Sequence, residues 1–176
     1  MLTDVDLGKY AHIECERRWL LTSRPNFLPP GGASWEIVDT YFPGTRIRFR
    51  RSVELPGGRV VYKLTQKFPL DPGEGSRHAV TNTYLRAAEF ELLKPLGGEV
   101  IRKRRYKLTA YDPVIAVDVF EAALGGLVIA EVEFEDDEAM SAYEGLPIDG
   151  AVEITQDGRF AGGVLCTQRY REVPKL

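Results

Sequence analysis

The chain has 176 residues, 44% of them hydrophobic and 28% charged, with a formal net charge of −3; this leaves room for one domain with a sizeable core and excludes disorder or any general attraction to nucleic acid or membranes. Two cysteines, Cys15 and Cys166, are too few for a disulfide framework. No basic-then-apolar leader opens the chain and no apolar run nears the roughly 18 residues of a membrane span, so one cytoplasmic domain over residues 1–176 is expected.

In chain order, residues 9–21 predict the first strand. Successive strand side chains point to opposite faces, so Glu14, Glu16 and Arg18 share one face, while Ile13, Cys15, Trp19 and Leu21 share the other. The stretch 25–32, with Pro29-Pro30-Gly31-Gly32, reads as a loop, and 36–42 as a second strand. After the Pro43-Gly44 turn, strand 46–53 alternates Arg46, Arg48 and Arg50 with apolar residues. Pro56-Gly57-Gly58 reads as a hairpin into strand 59–68, where Lys63 and Lys67 share a face with Thr65. Residues 71–76 read as a loop and 80–84 as a short strand. Ala87, Phe90, Leu93 and Lys94 stand at helical spacing and predict a helix over 86–96, stopped by Gly97-Gly98. Strands over 100–108, 114–120 and 127–134 follow, carrying Lys103 with Arg105, then Asp118, then Glu131, Glu133 and Glu135. Residues 136–143 predict a short acidic helix; the segment 154–170 stays open between turn-and-helix and strand.

About eight strands in hairpin order with few helices predict an α+β, mainly antiparallel fold, an eight-stranded closed or nearly closed barrel with a few flanking helices. Apolar residues such as Ile47, Phe49, Val132 and Phe134 then need cover from helices and loops, and the charged faces point into a lumen. An interior of both signs is costly unless it is wet, paired or filled by a ligand. Arginine forks and lysine ammoniums bind phosphate oxygens, and clustered carboxylates bind a hard divalent cation. The two together suit a polyanion carried with Mg2+ or Mn2+.

The run Glu14-Cys15-Glu16-Arg17-Arg18 resembles the ExExK signature of the CYTH family, also called triphosphate tunnel metalloenzymes. Later elements stand in that family's order: Arg46-Ile47-Arg48, the lysine strand 62–67, Lys103-Arg104-Arg105, Asp118, Glu131-Val132-Glu133 and the segment 153–160. The resemblance spans nearly the whole chain. It implies an eight-stranded tunnel, with metal roles for Glu14, Glu16, Glu131 and Glu133, and for Asp118 and Glu153 as further positions. It implies triphosphate binding by Arg18, Arg46, Arg48, Arg50, Lys63, Lys67, Lys103, Arg105 and Arg159, with either Lys63 or Lys67 as the principal lysine. Catalytic roles fall on Glu14, Glu16, Arg18 and Lys63. Three departures stand out: Arg18 replaces the signature lysine, the strand around 81–83 lacks an acidic residue, and 159–163 is poor in lysine and asparagine.

The implied activity is divalent-metal-dependent hydrolysis of a triphosphate. Inorganic tripolyphosphate comes first, because nothing in the predicted lining is an obvious reader of a base or of thiamine. Nucleoside or thiamine triphosphate hydrolysis and adenylate cyclisation share that chemistry, and a non-catalytic polyphosphate- or nucleotide-binding module is the reading from a different class. No membrane or nucleic-acid partner is expected, and the oligomeric state, a homodimer included, is open. Other residues have simpler readings: Arg51 is a surface charge, His78 a solvent-exposed loop residue, and Asp136-Asp137-Glu138 a helix start. His12 shares the face of Glu14 but precedes the signature; Trp19, Trp35, Tyr41 and Phe90 read as core.

Overall fold

The computed structural model describes residues 9–28 and 32–173. Pro29, Pro30 and Gly31 of the expected loop lie outside the described residues. Eight strands form the wall: β1 His12–Leu20, β2 Ser34–Tyr41, β3 Ile47–Leu55, β4 Val60–Pro69, β5 Arg77–Leu85, β6 Glu99–Leu108, β7 Ile115–Phe120 and β8 Val128–Phe134. They are ordered β5-β4-β3-β2-β6-β7-β8-β1, and β1 pairs back onto β5, closing an antiparallel barrel. A short β9, Val152–Glu153, adds to β1 beside Trp19 and Leu20.

The closing seam is brief. Only His12 to Cys15 pair with β5, through Val80 to Arg77. Beyond it the Glu16 N–H donates to the Ser76 carbonyl at 2.8 Å, and the C-terminal segment takes over the free edge of β1. There Ile154 N–H donates to Arg18 O at 2.9 Å, and Arg18 N–H donates to Thr155 Oγ1 at 3.0 Å. The fifth strand is longer than the five residues expected, because Arg77, His78 and Ala79 are drawn into the seam.

The helices are short. α1, Ala87–Leu93, starts where Arg86 N–H donates to Glu89 Oε2 at 2.6 Å, and packs Phe90 on Tyr62 with ring centroids 4.7 Å apart. Its expected last turn is a 3-10 helix, Lys94–Leu96, stopped by Gly97 and Gly98 at φ 73° and 117°. α2, Asp137–Ala142, is capped by Asp136, whose Oδ1 accepts from Ala139 N–H at 2.8 Å. The open segment 154–170 is helical in pieces: 3-10 turns at Gly158–Phe160 and Tyr170–Glu172 flank α3, Gly162–Leu165. Among the described residues no helix is long and apolar enough to cross a membrane.

Two apolar clusters position the tunnel. Outside the barrel, Trp19, Ile115, Val117, Val128, Ala130 and Val132 are covered by Leu28 and by Tyr143, Leu146 and Ile148. Inside, at one end, the inner faces of β6, β7 and β8 turn from charged to apolar at Ile101, Phe120 and Ile129. Ile154, Phe160, Leu165 and Val173 pack there as a plug. The plug fits closely: a Cβ added to Gly162 would stand 2.2 Å from Tyr41 Oη. The expected cover is complete over Val132, while Ile47 stays 39% exposed.

Candidate active site

The barrel encloses a cavity of about 630 Å³. Strand alternation delivers its charged lining: Glu14, Glu16 and Arg18 from β1, Arg48 and Arg50 from β3, Lys63 and Lys67 from β4, Lys103 and Arg105 from β6, Asp118 from β7, and Glu131 and Glu133 from β8. Arg46, just before β3, also lines it, with its guanidinium 4.4 Å from the centre of the Phe68 ring.

One half of the wall is basic, and two buried aspartates hold it together. Asp39 on β2 accepts from Arg50 Nε at 2.7 Å and Nη2 at 2.8 Å, and lies 3.7 Å from Arg48 Nε. Burial alone would raise its pKa; Arg50 and Arg48 overcome that and keep it well below the usual carboxylate range. Asp118 does the same on β7, accepting from Lys103 Nζ at 2.6 Å and from Arg105 Nε and Nη2 at 2.7 and 2.8 Å. Arg105 Nη2 reaches on to Glu131 Oε2 at 3.1 Å. Among the described residues no carboxylate pairs directly with Lys63, and Asp39 acts on it only from a distance. Burial, with Arg50 and Arg48 nearby, pushes its ammonium down to about 8. Arg48 Nη2 donates to Thr65 Oγ1 at 3.2 Å, and Thr65 in turn donates to Asn82 Oδ1 at 2.8 Å. Among the described residues Arg48 Nε and Arg18 Nε are buried without a hydrogen-bond partner, which leaves two guanidinium donors open to an acceptor oxygen.

The other half is acidic. Glu16 and Glu133 are direct cross-strand partners on β1 and β8, and Arg18 faces Glu131 one step along. Lys67 reaches across from β4 to bind Glu14 and, at 2.9 Å, Glu16 Oε2. Burial would raise Glu14, and Lys67 outweighs it, leaving Glu14 below the usual value. Glu133 is pushed up instead, by burial and then by the charges of Glu131 and Glu14. Four carboxylates thus crowd one wall with too little positive charge among them, and their oxygens are the donor type a hard divalent cation takes. No three such side chains among the described residues converge as they stand; Lys67 is bound to both Glu14 and Glu16, and Arg105 holds Glu131.

Several sequence expectations are redirected by this geometry. Asp118, expected with the metal ligands, is enclosed by Lys103 and Arg105. Glu153 lies away from the cavity on β9, where Arg17 Nε and Nη2 donate to it at 3.0 and 2.7 Å. Arg159 is also outside, paired with Asp157. Arg18, expected at the phosphates, lines the cavity but also donates to the Phe160 and Thr155 carbonyls at 3.2 and 3.3 Å, tying the plug to β1. His78 is no exposed loop residue. It stands on β5 opposite Glu14 and lines the cavity, with Nδ1 3.7 Å from Glu16 Oε1, and burial followed by Lys67 pushes its pKa down to about 4. His12 is exposed. Trp35 and Tyr41, expected as core, both line the cavity, as does Tyr84, whose ring centre is 5.9 Å from Lys63 Nζ. Asp39 is a residue the sequence expectations miss, although it interrupts the otherwise apolar face of Trp35, Ile37 and Tyr41; its register opposite Arg50 supplies its role.

No family profile matches the chain, and no curated protein sequence does. Among solved structures it is similar to NE1496, described once as a hypothetical protein (TM-score 0.54, 24% identity, covering 87% of this chain and 96% of that one). A second structure, described as the inorganic triphosphatase NE1496, gives TM-score 0.53 and 23% identity over 87% of this chain and 93% of that one. PH1819 from Pyrococcus horikoshii OT3 follows at TM-score 0.49 and 18% identity, over 73% and 82%. At these identities the likeness to NE1496 is one of fold.

Proposed function

Starting from the CYTH-type triphosphate-tunnel fold that this chain has, we propose that it hydrolyses a triphosphate with a divalent cation, Mg2+ or Mn2+, and that inorganic tripolyphosphate is its substrate. The observation that carries this reading is the two-sided lining of one tunnel, with Arg48, Arg50, Lys63, Lys103 and Arg105 on one wall and Glu14, Glu16, Glu131 and Glu133 on the other. The fold of the similar inorganic triphosphatase supports it.

Within this reading Arg48 presents its guanidinium to phosphate oxygens, Arg105, whose Nε and Nη2 are engaged by Asp118 and Glu131, adds fixed positive charge, and Lys63 adds an ammonium on the same wall. Asp39 and Asp118 keep the forks in place, and the basic wall aligns the chain of phosphates for attack at one end. Glu14, Glu16, Glu131 and Glu133 would hold the cation; burial and then the charges of Glu131 and Glu14 raise Glu133, and a positive ion on that wall would offset both. When bound, such an ion offsets charge on the phosphate oxygens and lowers the pKa of an attacking water. The apolar plug closes one end of the tunnel and limits water entry there.

Trp35 and Tyr84 favour a second reading in which the triphosphate bears an organic group, since their aromatic rings lie along the lining. Phosphate release from tripolyphosphate, ATP and thiamine triphosphate, each with Mg2+, with Mn2+ and in EDTA, tests both. Metal-dependent release fastest from tripolyphosphate is expected. Faster release from an organic triphosphate would assign the aromatic rings to recognition, while binding with no release from any substrate would leave a non-catalytic binding module. Undiminished turnover in EDTA would sink the metal reading.

A further inference from the structure

Lys67 is rooted on one wall of the tunnel and bound to the other. Its backbone stands on the basic side: its N–H donates to the Arg46 carbonyl at 3.0 Å, and Thr65, two residues back on the same face of β4, lies opposite Arg48. Its side chain spans β5 and binds Glu14 and, at 2.9 Å, Glu16 Oε2. Glu14 and Glu16, two residues apart on one face of β1, thus converge on a single positive atom. Burial would lower the pKa of that ammonium; Glu16 and then Glu14 overcome it, and Lys67 stays charged. One positive charge is too little for this wall, where burial and then Glu131 and Glu14 still push Glu133 up. Packing does not lock the ammonium in place: 27% of the side chain is exposed, and a flexible four-carbon stem can carry its point charge from one partner to another.

We propose that Lys67 is an exchangeable internal cation: in the empty tunnel its ammonium fills the seat between Glu14 and Glu16, and a divalent ion takes that seat as Lys67 turns back to phosphate oxygens beside Arg46 and Arg48. This rests on the divalent-cation reading above and gives it an order. With no anion in the tunnel, Arg46 and Arg48 repel a third cation on their wall, and a bare divalent ion must expel Lys67 against that repulsion. A triphosphate reverses the balance, because its oxygens give Lys67 a new partner while the ion compensates both glutamates with twice the charge. Cation and triphosphate therefore favour each other's binding, and the complex of the two is the species the tunnel takes up.

Binding of Mn2+ alone, without any phosphate and followed through the free Mn2+ EPR signal, tests the exchange on the full chain. Removing the competing ammonium in Lys67→Met should tighten Mn2+ about tenfold or more. Lys67→Arg, which keeps a positive head against the two glutamates, should bind Mn2+ no more tightly than the parent. The unmodified chain gives a second readout that no folding defect can blur. With 15N at the lysine side-chain nitrogens, the Lys67 ammonium signal, assigned by its loss in Lys67→Arg, should stay in place when Mg2+ is added alone and move when Mg2+ is added with tripolyphosphate. Mn2+ affinity unchanged or lowered in Lys67→Met, or an ammonium signal that stays in place under both additions, overturns the exchange and leaves the cation reading standing. Parent and Lys67→Met that both fail to take up Mn2+ overturn the exchange and the cation reading together.

Discussion

Asp39 grips Arg50 with both carboxylate oxygens, at 2.7 and 2.8 Å, and both side chains are buried in the barrel wall. The same carboxylate lies 3.7 Å from Arg48, so one anion steadies two adjacent cations and hydrogen-bonds Arg50 alone. The basic wall is thereby built before any substrate arrives, with Arg48 Nε still lacking an acceptor.

Replacing Asp39 by Asn leaves Arg50 and Arg48 buried without a counter-charge. The expected loss is about 3 kcal/mol or more of unfolding free energy, the usual result of breaking a buried pair from one side. Urea melts would measure it, and added tripolyphosphate should restore part of the loss, since it brings negative charge to the same guanidiniums. A variant as stable as the parent would show that Asp39 is not the anchor of this wall.

Lys63 gives a pH signature. Its ammonium titrates near 8 in the fold against 10.5 ordinarily, chiefly because it is buried and then because Arg50 and Arg48 repel it. A depressed lysine opposes folding while it is charged, so this cost is fully present below about pH 8 and fades as pH rises from there to 10.5. An anion in the tunnel favours the charged form. Tripolyphosphate binding should therefore take up protons between pH 8 and 10, and its affinity should fall with rising pH across that interval by up to about tenfold per unit. Calorimetry in two buffers of different ionisation enthalpy would detect the uptake, and Lys63→Met should abolish it.

For Glu133, stability and metal binding should move in opposite directions. Burial and the charges on Glu131 and Glu14 disfavour its ionised form, so the raised pKa marks a cost to the fold that is present above it and absent below the ordinary 4.5. Glu133→Gln should raise the melting temperature of metal-free protein at pH 7, by the equivalent of only about 0.5 kcal/mol, because the carboxylate, though set among the tunnel walls, still reaches solvent that screens it, and the gain should disappear near pH 4. The same variant should bind Mn2+ more weakly. Loss of both properties together would count against a carboxylate wall waiting for a cation.

Arg18 carries two duties, which its substitutions should separate. Its guanidinium donates to the carbonyls of Thr155 and Phe160 in the plug and also faces the tunnel. Lysine keeps the charge but cannot span both carbonyls in the same way. Arg18→Lys should lose about 1 kcal/mol of stability and keep most tripolyphosphate turnover, while Arg18→Ala should lose both. A rise in turnover of about tenfold for Arg18→Lys, equal to about 1.4 kcal/mol of barrier, would show that a compact, deprotonatable ammonium matters to the chemistry.

Strand alternation made the barrel legible: arginines at 46, 48 and 50 and glutamates at 14 and 16 could share faces only in extended chain, and both sets line the cavity. What alternation could not reveal was register. Asp39 opposite Arg50, and His78 opposite Glu14, join residues distant in the sequence, and nothing local marks either pair. The polar run 71–76 also pulled the expected loop toward His78, whereas seam hydrogen bonds extend β5 back to Arg77. Glu153 and Arg159 entered through resemblance alone, and local partners, Arg17 and Asp157, hold them outside the tunnel. The segment 154–170 had no clear period because it is broken into three short helical turns whose form is set by packing of Phe160 and Leu165 against the barrel end.

The most direct test of the tunnel as a triphosphate site is calorimetric binding of tripolyphosphate and of ATP to the parent chain and to Arg48→Ala. Arg48 meets phosphate oxygens that both ligands possess, so both affinities should fall by the same factor, about tenfold or more. A loss confined to ATP, or parent protein that binds neither ligand, would contradict the account.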